Sequence, residues 1–288
     1  GEDAFGIEIP NSKRDIVGLK FLLCSEEFNA DSKGIRVAMG ETFDGKPYIA
    51  NLAKMPHLLV AGATGTGKSV FLNSVIISIL YKYSPEDVRL IMIDPKRVEM
   101  SIYKGLPNLL IKEPVKEAKH AVNALKWLVE EMDRRYKLFE NVGCRDIDEY
   151  NDLFRDKETE PKIPKIVLII DEMADLMMTS KNSVEECVVR IAQLARACGI
   201  HMIIATQRPS VKVITGLIKA NILHRVAFTV KSNMDSRVIM DDGGAEELLG
   251  NGDMLYSFPA NLLRLQGAVG DTAEIQRVVQ YLKDKKED

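Results

Sequence analysis

Short apolar runs recur along the chain at His57–Ala61, Val88–Ile93, Ile166–Ile170, Ile200–Ala205 and Val226–Val230, each closed by polar or turn residues. Near-continuous apolar runs, interrupted here at His57, Arg89, His201 and Thr229, are the pattern of strands buried on both faces. Between them the period lengthens to that of helices. Val70-Phe71-Leu72 with Val75-Ile76-Ile77-Ile79-Leu80 predicts one. Val122, Leu125, Val129, Met132, Tyr136 and Phe139 repeat at three and four and predict a long amphipathic helix ending at Gly143. Val184–Cys198, a short stretch around Ile214–Asn221, and Thr272–Lys285 complete the helical set. Met254–Ser257 and Leu262–Ala268 are further strand candidates, and Asp152–Lys162 is polar and reads as a surface loop. Alternation at this spacing predicts an α/β fold with a mainly parallel sheet covered by helices on both faces.

The first fifty residues break this rhythm and read as a small α/β appendage. Phe5–Ile9 fits a short strand stopped by Pro10-Asn11, and Ile16–Leu23 fits a strand or a helix. Arg36–Gly40 and Pro47–Ala50 flank Asp44-Gly45 as a hairpin would. The expected division is therefore 1–28 as a remnant or linker and 29–288 as the main domain. Gly1-Glu2-Asp3 lacks an initiator Met, which suits a processed or excised piece.

Composition adds mainly exclusions. The 288 residues are 46% hydrophobic and 28% charged, enough for one large core. No apolar run approaches the ~20 residues of a membrane span. Cys24, Cys144, Cys187 and Cys198 have neither metal-type nor redox-type spacing, and Cys187 and Cys198 read as core residues of a reducing compartment. His57, His120, His201 and His224 form no ligand pattern. A net charge of −3 means that any binding of a polyanion must come from a local patch.

The most specific chemistry lies directly after the first buried run. Gly62-Ala63-Thr64-Gly65-Thr66-Gly67-Lys68-Ser69, followed by Val70, fits the phosphate-binding loop, with the strand before it and the helix after it that the motif requires. The glycines let backbone N–H groups turn inward as an anion nest, and the helix dipole adds positive potential. Lys68 is placed for the β- and γ-phosphates of ATP, and the Ser69 hydroxyl for Mg²⁺.

Other strand ends carry the remaining candidates. Ile170 is followed by Asp171-Glu172: Asp171 suits a direct or water-mediated Mg²⁺ partner, and Glu172 suits polarising the attacking water. An acid pair capping a surface strand is the plainer alternative. Gln207, after Ala205-Thr206, suits a γ-phosphate sensor or a water-orienting amide, or is simply a strand-end residue. Asp94-Pro95-Lys96 ends another strand, where a structural turn is the preferred reading. Arg208, Lys212, Lys219, Arg225, Lys231 and Arg237 face one acid, Asp235, so the span from 208 to 237 is net +5. That is a solvated basic face or a phosphate-binding surface.

Several longer strings together resemble the motor of the FtsK/SpoIIIE DNA translocases. They are Met55–Gly62, Met92–Lys96, Asp171–Met178, Ala205–Ser210, Val213–Asn221, Gly243–Glu246 and Gly250-x-Gly252-Asp253-Met254-Leu255-Tyr256. The resemblance implies a RecA-like P-loop ATPase that forms a homo-hexameric ring and pumps double-stranded DNA in chromosome segregation, during division or sporulation. It implies ATP and Mg²⁺ as cofactors, and a cytoplasmic motor whose full-length protein is anchored in the bacterial inner membrane, at the septum, by segments outside this chain. Gly6–Asn11 resembles the end of the family's preceding α domain. The resemblance also suggests Arg196, in Leu194-Ala195-Arg196-Ala197, as an arginine finger; read locally, it is a cation at a helix C-terminus, which is favourable by itself. Arg208, Lys219 and Arg237 match DNA-facing positions, and Lys231 belongs to the same basic stretch. Met173 stands where Phe is usual and Asn233 where Lys is common. The readings set against this one are a related motor moving protein in a secretion apparatus, a P-loop phosphotransferase, and a nucleotide-gated structural ring.

Overall fold

The structure, a computed structural model, describes residues 15–30, 33–155, 162–259 and 261–285. The expected strand at Phe5–Ile9, the Gly6–Asn11 string and positions 156–161 of the polar loop lie outside the described residues.

Among the described residues the first elements are two short helices, α1 (Leu19–Leu23) and α2 (Glu26–Asn29). Of the two readings of Ile16–Leu23, the helix is the one formed. A hairpin follows, β1 (Arg36–Glu41) and β2 (Pro47–Asn51), turning through Gly45 at φ 74°. Then come β3 (His57–Ala61), α3 (Lys68–Lys82), β4 (Val88–Ile93), α4 (Ala118–Val142) and α5 (Ile147–Leu153). The second half holds β5 (Lys165–Ile170), α6 (Met173–Leu194), β6 (Ile200–Thr206), α7 (Gly216–Asn221), β7 (His224–Phe228), α8 (Asn233–Met240), β8 (Asp253–Phe258), β9 (Asn261–Gln266) and α9 (Thr272–Asp284).

Among the described residues these nine strands form one sheet in the order β2-β1-β9-β8-β7-β3-β6-β5-β4. The five strands from β7 to β4 pair in parallel, as the near-continuous apolar runs predict. The hairpin, β9 and β8 extend the sheet with antiparallel ladders. Alternation reappears in the direction each residue faces. Ile166, Leu168 and Ile170 join the core under α4 and α6, whereas Val167 and Ile169 join the core under α3. Leu19, Leu22, Leu23 and Phe28 belong to that second core, so α1 and α2 pack with the sheet.

One long helix departs from its expected limits. α6 begins at Met173, directly after the acid pair, with Glu172 as its N-cap, and has a non-helical Ser180 inside it. It also stops at Leu194, which leaves Cys198 in the following turn rather than on the helix. The α4 expectation holds: Gly143 ends the helix in the left-handed region at φ 73°, where a glycine C′ is favoured.

Candidate active site

Parallel strands bring their C-terminal ends to one edge of a sheet, and ligands bind in the crevice there. β3 lies between β7 and β6, and the loop leaving it is held from both sides. The Gly62 N–H donates to the Thr206 carbonyl at 3.3 Å, and the Ala63 N–H to the Thr229 carbonyl at 3.0 Å. Glycine is required by contact as well as by conformation. A Cβ on Gly62 would sit 2.5 Å from Cβ of Phe228, and one on Gly67, at φ 120°, would sit 2.8 Å from Cα of Gly252. Gly252 in turn donates to the Thr66 carbonyl at 2.9 Å, so the β7–β8 connection props the loop from below. A cleft of about 390 Å³ opens between Ala63–Phe71, Glu99, Gln207, Asn251-Gly252 and Gly267–Val269.

Two lysines answer two carboxylates at this edge. Lys68, on the first turn of α3 and buried, donates to Asp171 Oδ1 at 2.7 Å and to the Asp171 carbonyl at 2.8 Å. Asp171 is fully buried, and its Oδ2 has no partner. Glu172 is fully buried as well. Its Oε1 accepts from Thr206 Oγ1 at 2.6 Å, and its Oε2 from Lys96 Nζ at 3.1 Å. The Gln207 N–H lies 3.2 Å from Oε2. Burial pushes the Glu172 carboxyl up, but the Thr206, Gln207 and Lys96 hydrogen bonds outweigh it and hold the group below its ordinary range. Gln207 Oε1 accepts from Lys96 Nζ at 3.0 Å and from Thr64 Oγ1 of the loop at 3.1 Å.

The sequence-based candidates divide accordingly. Lys68, Asp171, Glu172 and Gln207 meet at one edge with the loop and Ser69. The reading of Asp94-Pro95-Lys96 as a structural turn holds for Asp94, whose Oδ2 accepts from the Met100 N–H at 3.0 Å, but fails for Lys96, which enters the site. A signal for Lys96 existed: β4 and β5 pair in register through Ile93 and Ile170, so residues shortly after each strand must emerge side by side.

Arg196 lies elsewhere. It is exposed in the turn between α6 and β6, with Nε donating to the Ala53 carbonyl at 3.1 Å. That turn is at the N-terminal end of β6, the opposite edge of the sheet from the loop, roughly 20 Å away along a seven-residue strand. Arg196 cannot serve its own chain's phosphate site.

The basic stretch does not form a single patch. Arg208, Lys231 and Arg237 are exposed. Arg225 is buried and must be removed from the patch: its guanidinium binds Asp241 and the carbonyls of Lys219, Ile222 and Ile239. Lys219 also pairs with Asp241, at 2.6 Å. The acid that neutralises both stands just beyond the span whose charges sum to +5.

The pocket chemistry suits a nucleotide with its metal. The loop is a cradle that side chains would fill, and the orphaned Oδ2 of Asp171 is an anionic acceptor on the residue bound by Lys68, which is next in the chain to Ser69. His57, His201 and His224 open three adjacent strands, but each has a local role: Nδ1 of His57 accepts from the Met202 N–H, Nδ1 of His201 faces the Pro56 carbonyl, and Nδ1 of His224 faces the Tyr256 hydroxyl. Among the described residues no group of three or more His, Cys, Asp or Glu could hold a metal ion by itself. Nor is any described helix long and apolar enough to cross a membrane.

Comparison with known proteins agrees with this geometry. The chain is 52% identical over 287 residues to a DNA translocase FtsK of Clostridium tetani (strain Massachusetts / E88), covering 99% of this chain and 38% of that protein. It is 49% identical over 287 residues to the DNA translocase SftA of Bacillus subtilis (strain 168), covering 99% and 30%. The chain thus spans about a third of the length of these curated relatives. Among solved structures, the pCW3 conjugation coupling protein TcpA, in its monomer form with ATPγS, superposes with a TM-score of 0.74 at 26% identity, covering 92% of this chain and 74% of that one. The cytoplasmic domain of the Thermomonospora curvata Type VII secretion ATPase EccC shares the fold, with a TM-score of 0.77 at 22% identity, covering 93% and 34%. The FtsK/SpoIIIE family profile matches residues 19–211, a span that holds the loop, both lysine–carboxylate pairs, Arg196 and Gln207. The chain belongs to the FtsK/SpoIIIE family and is a P-loop ATPase.

Proposed function

We propose that this chain is the ATP-driven motor of a double-stranded DNA translocase acting in chromosome segregation at division or sporulation, and that it works as a homo-hexameric ring. The observation that carries the reading is the separation of parts. The phosphate loop, Asp171, Glu172 and Gln207 occupy one edge of the sheet, and Arg196 occupies the other. A finger on the far edge completes a site only when a second copy presents it, which is how a ring couples neighbours. From the family resemblance we further propose that the motor works on the cytoplasmic face of the inner membrane, in a longer protein anchored there.

Each residue then has a task. The backbone N–H groups from Gly62 to Val70 and the Lys68 ammonium hold the phosphates of ATP. Ser69 and Asp171 would hold Mg²⁺, which when bound neutralises charge on the phosphate oxygens. Glu172 polarises a water whose oxygen bonds to the γ-phosphorus; the bridging P–O bond breaks toward ADP, and the water's proton passes toward the carboxylate. Gln207 touches the loop through Thr64 and leads directly into Arg208, so the terminal phosphate and the polymer-facing segment are joined by one strand end.

Arg208, Lys231 and Arg237 are exposed and can meet DNA phosphates, whereas Lys219 would have to leave Asp241 to do so. Such contacts position without reading bases, as a sequence-indifferent motor needs. DNA-stimulated ATPase separates this function from that of a motor for secreted protein. Arg196→Ala and Lys68→Ala should each be inactive, yet mixed rings should regain turnover from interfaces that pair an intact loop with an intact finger. DNA-stimulated turnover by Arg196→Ala alone, or no recovery in demonstrably mixed rings, counts against action between copies. Arg208→Ala with Lys231→Ala should weaken binding equally on unrelated duplexes and flatten its salt dependence by about two counterions. An unchanged salt slope would place the DNA surface elsewhere.

A further inference from the structure

Lys68 and Lys96 are both held by carboxylates that they must leave to meet a phosphate, but Lys68 is buried and Lys96 is partly exposed. The Lys96 backbone is anchored. Asp94 donates its N–H to the Val115 carbonyl at 2.8 Å, and its side chain accepts from Met100, while Arg97 takes the left-handed conformation at φ 61°. The Lys96 side chain is 34% exposed, in contrast with the 0% of the Glu172 that it binds. One end of this pair is therefore fixed in the protein and the other can move into the cleft.

The bonding of Glu172 shows what Lys96 holds in this structure. Oε1 is committed to the Thr206 hydroxyl and also lies 3.3 Å from the Ala174 N–H. Oε2 faces Lys96 and the Gln207 N–H. A carboxylate oxygen that holds an ammonium and a backbone amide has little basicity left for water. As found, the carboxylate is restrained, and of its two side-chain partners, Thr206 and Lys96, Lys96 is the one that is not buried. The same Nζ shares Gln207 Oε1 with Thr64, so it stands at the phosphate-facing rim of the loop.

A terminal phosphate has three oxygens and more charge than one carboxylate, and a lysine is a mobile point charge that follows the stronger acceptor. The geometry points to Lys96 as a γ-phosphate ligand that exchanges partners: it rests on Glu172 when the terminal phosphate is absent, moves to that phosphate when ATP is bound, and thereby frees Oε2 to polarise water. The empty and ADP states would then hold the carboxylate inactive, and ATP itself would release it. This rests on Glu172 being the water-polarising carboxylate.

The test uses binding, with turnover as a control. Fluorescent ATPγS and ADP are titrated into the chain, and melting temperatures are recorded in parallel. Lys96→Met should weaken ATPγS binding by about tenfold, the loss of one charge-assisted hydrogen bond. Binding of ADP, which lacks the terminal phosphate, should change by less than about twofold on the same scale. Lys96→Arg should restore part of the preference for ATPγS. Glu172→Gln removes the competing anion, so it should tighten ATPγS binding and leave ADP unaffected, and this gain should vanish in the double variant with Lys96→Met. Equal losses for both nucleotides, no loss for ATPγS, or a Glu172→Gln gain that survives without Lys96 would each overturn the exchange. Wild-type turnover by Glu172→Gln would instead remove the reading of Glu172 on which it rests.

Discussion

Lys68 is usually thought of as a phosphate ligand, but in this chain it also neutralises a buried acid. Its side chain is 2% exposed and that of Asp171 is 0%, with 2.7 Å between Nζ and Oδ1. The other oxygen of Asp171 has no partner. Lys68→Met therefore leaves an uncompensated carboxylate in a dry site. Breaking one side of a buried pair costs about 3–5 kcal/mol. At roughly 2 °C per kcal/mol for a chain this long, the melting temperature should fall by about 6–10 °C without nucleotide. Replacing both partners should hurt far less, because the double variant Lys68→Met/Asp171→Asn buries no charge. Thermal unfolding followed by circular dichroism, on the two single variants and the double, measures the coupling directly. A Lys68→Met protein that melts with the wild type, or a double variant no more stable than Lys68→Met, would refute the argument.

Two further predictions concern the same framework. Burial and neighbouring ring charges depress His57 to about 3, and burial depresses His201 to about 4, against an ordinary 6.5. The folded state therefore binds fewer protons below pH 6.5, so stability is full above that value and is lost as pH falls toward the folded values, at about 1.4 kcal/mol per unit for each ring. His57→Asn, which keeps an acceptor for the Met202 N–H, should reduce that slope between pH 6 and 5 by about one ring's share; an unchanged slope in urea titrations would refute the assignment. Gly67→Ala forces a Cβ against Gly252, whereas a Cβ on Gly65, at φ 80°, meets nothing within 4 Å. The first should abolish nucleotide binding in a titration, and the second should keep it with a stability loss of about 1 kcal/mol from backbone strain; similar behaviour of the two would count against the close contact.

Much of this was legible in the sequence because it is local. The phosphate loop, its strand and helix, the Asp171-Glu172 pair and the Gly143 stop are each written within a few residues. The parallel half of the sheet follows from apolar runs that only two covered faces can explain. What escaped was long-range. Lys96 looks like a turn residue until β4 is set beside β5. Arg225 looks like a free cation until α8 returns Asp241 to the start of β7. The early start of α6 was hidden because the polar run Thr179–Ser183, which holds the non-helical Ser180, separates Met173, Leu176 and Met177 from the repeat that resumes at Val184. The β1–β2 hairpin was read from Asp44-Gly45, but no short-range pattern sets β9 beside β1 or β8 beside β7.

The paired charges at the sheet edge also govern how a nucleotide arrives. Lys68 is matched by Asp171 and Lys96 by Glu172, and Glu99 stands at the rim. Each of these lysines is neutralised by its partner, so neither adds a long-range pull on a polyanion. Capture must then begin at contact, with the fixed dipoles of the loop's N–H groups, and the lysines turn to the phosphates only after their carboxylates have been outbid. Such a site takes up nucleotide by recognition rather than by attraction, and free phosphate or other small anions gain little by approaching it.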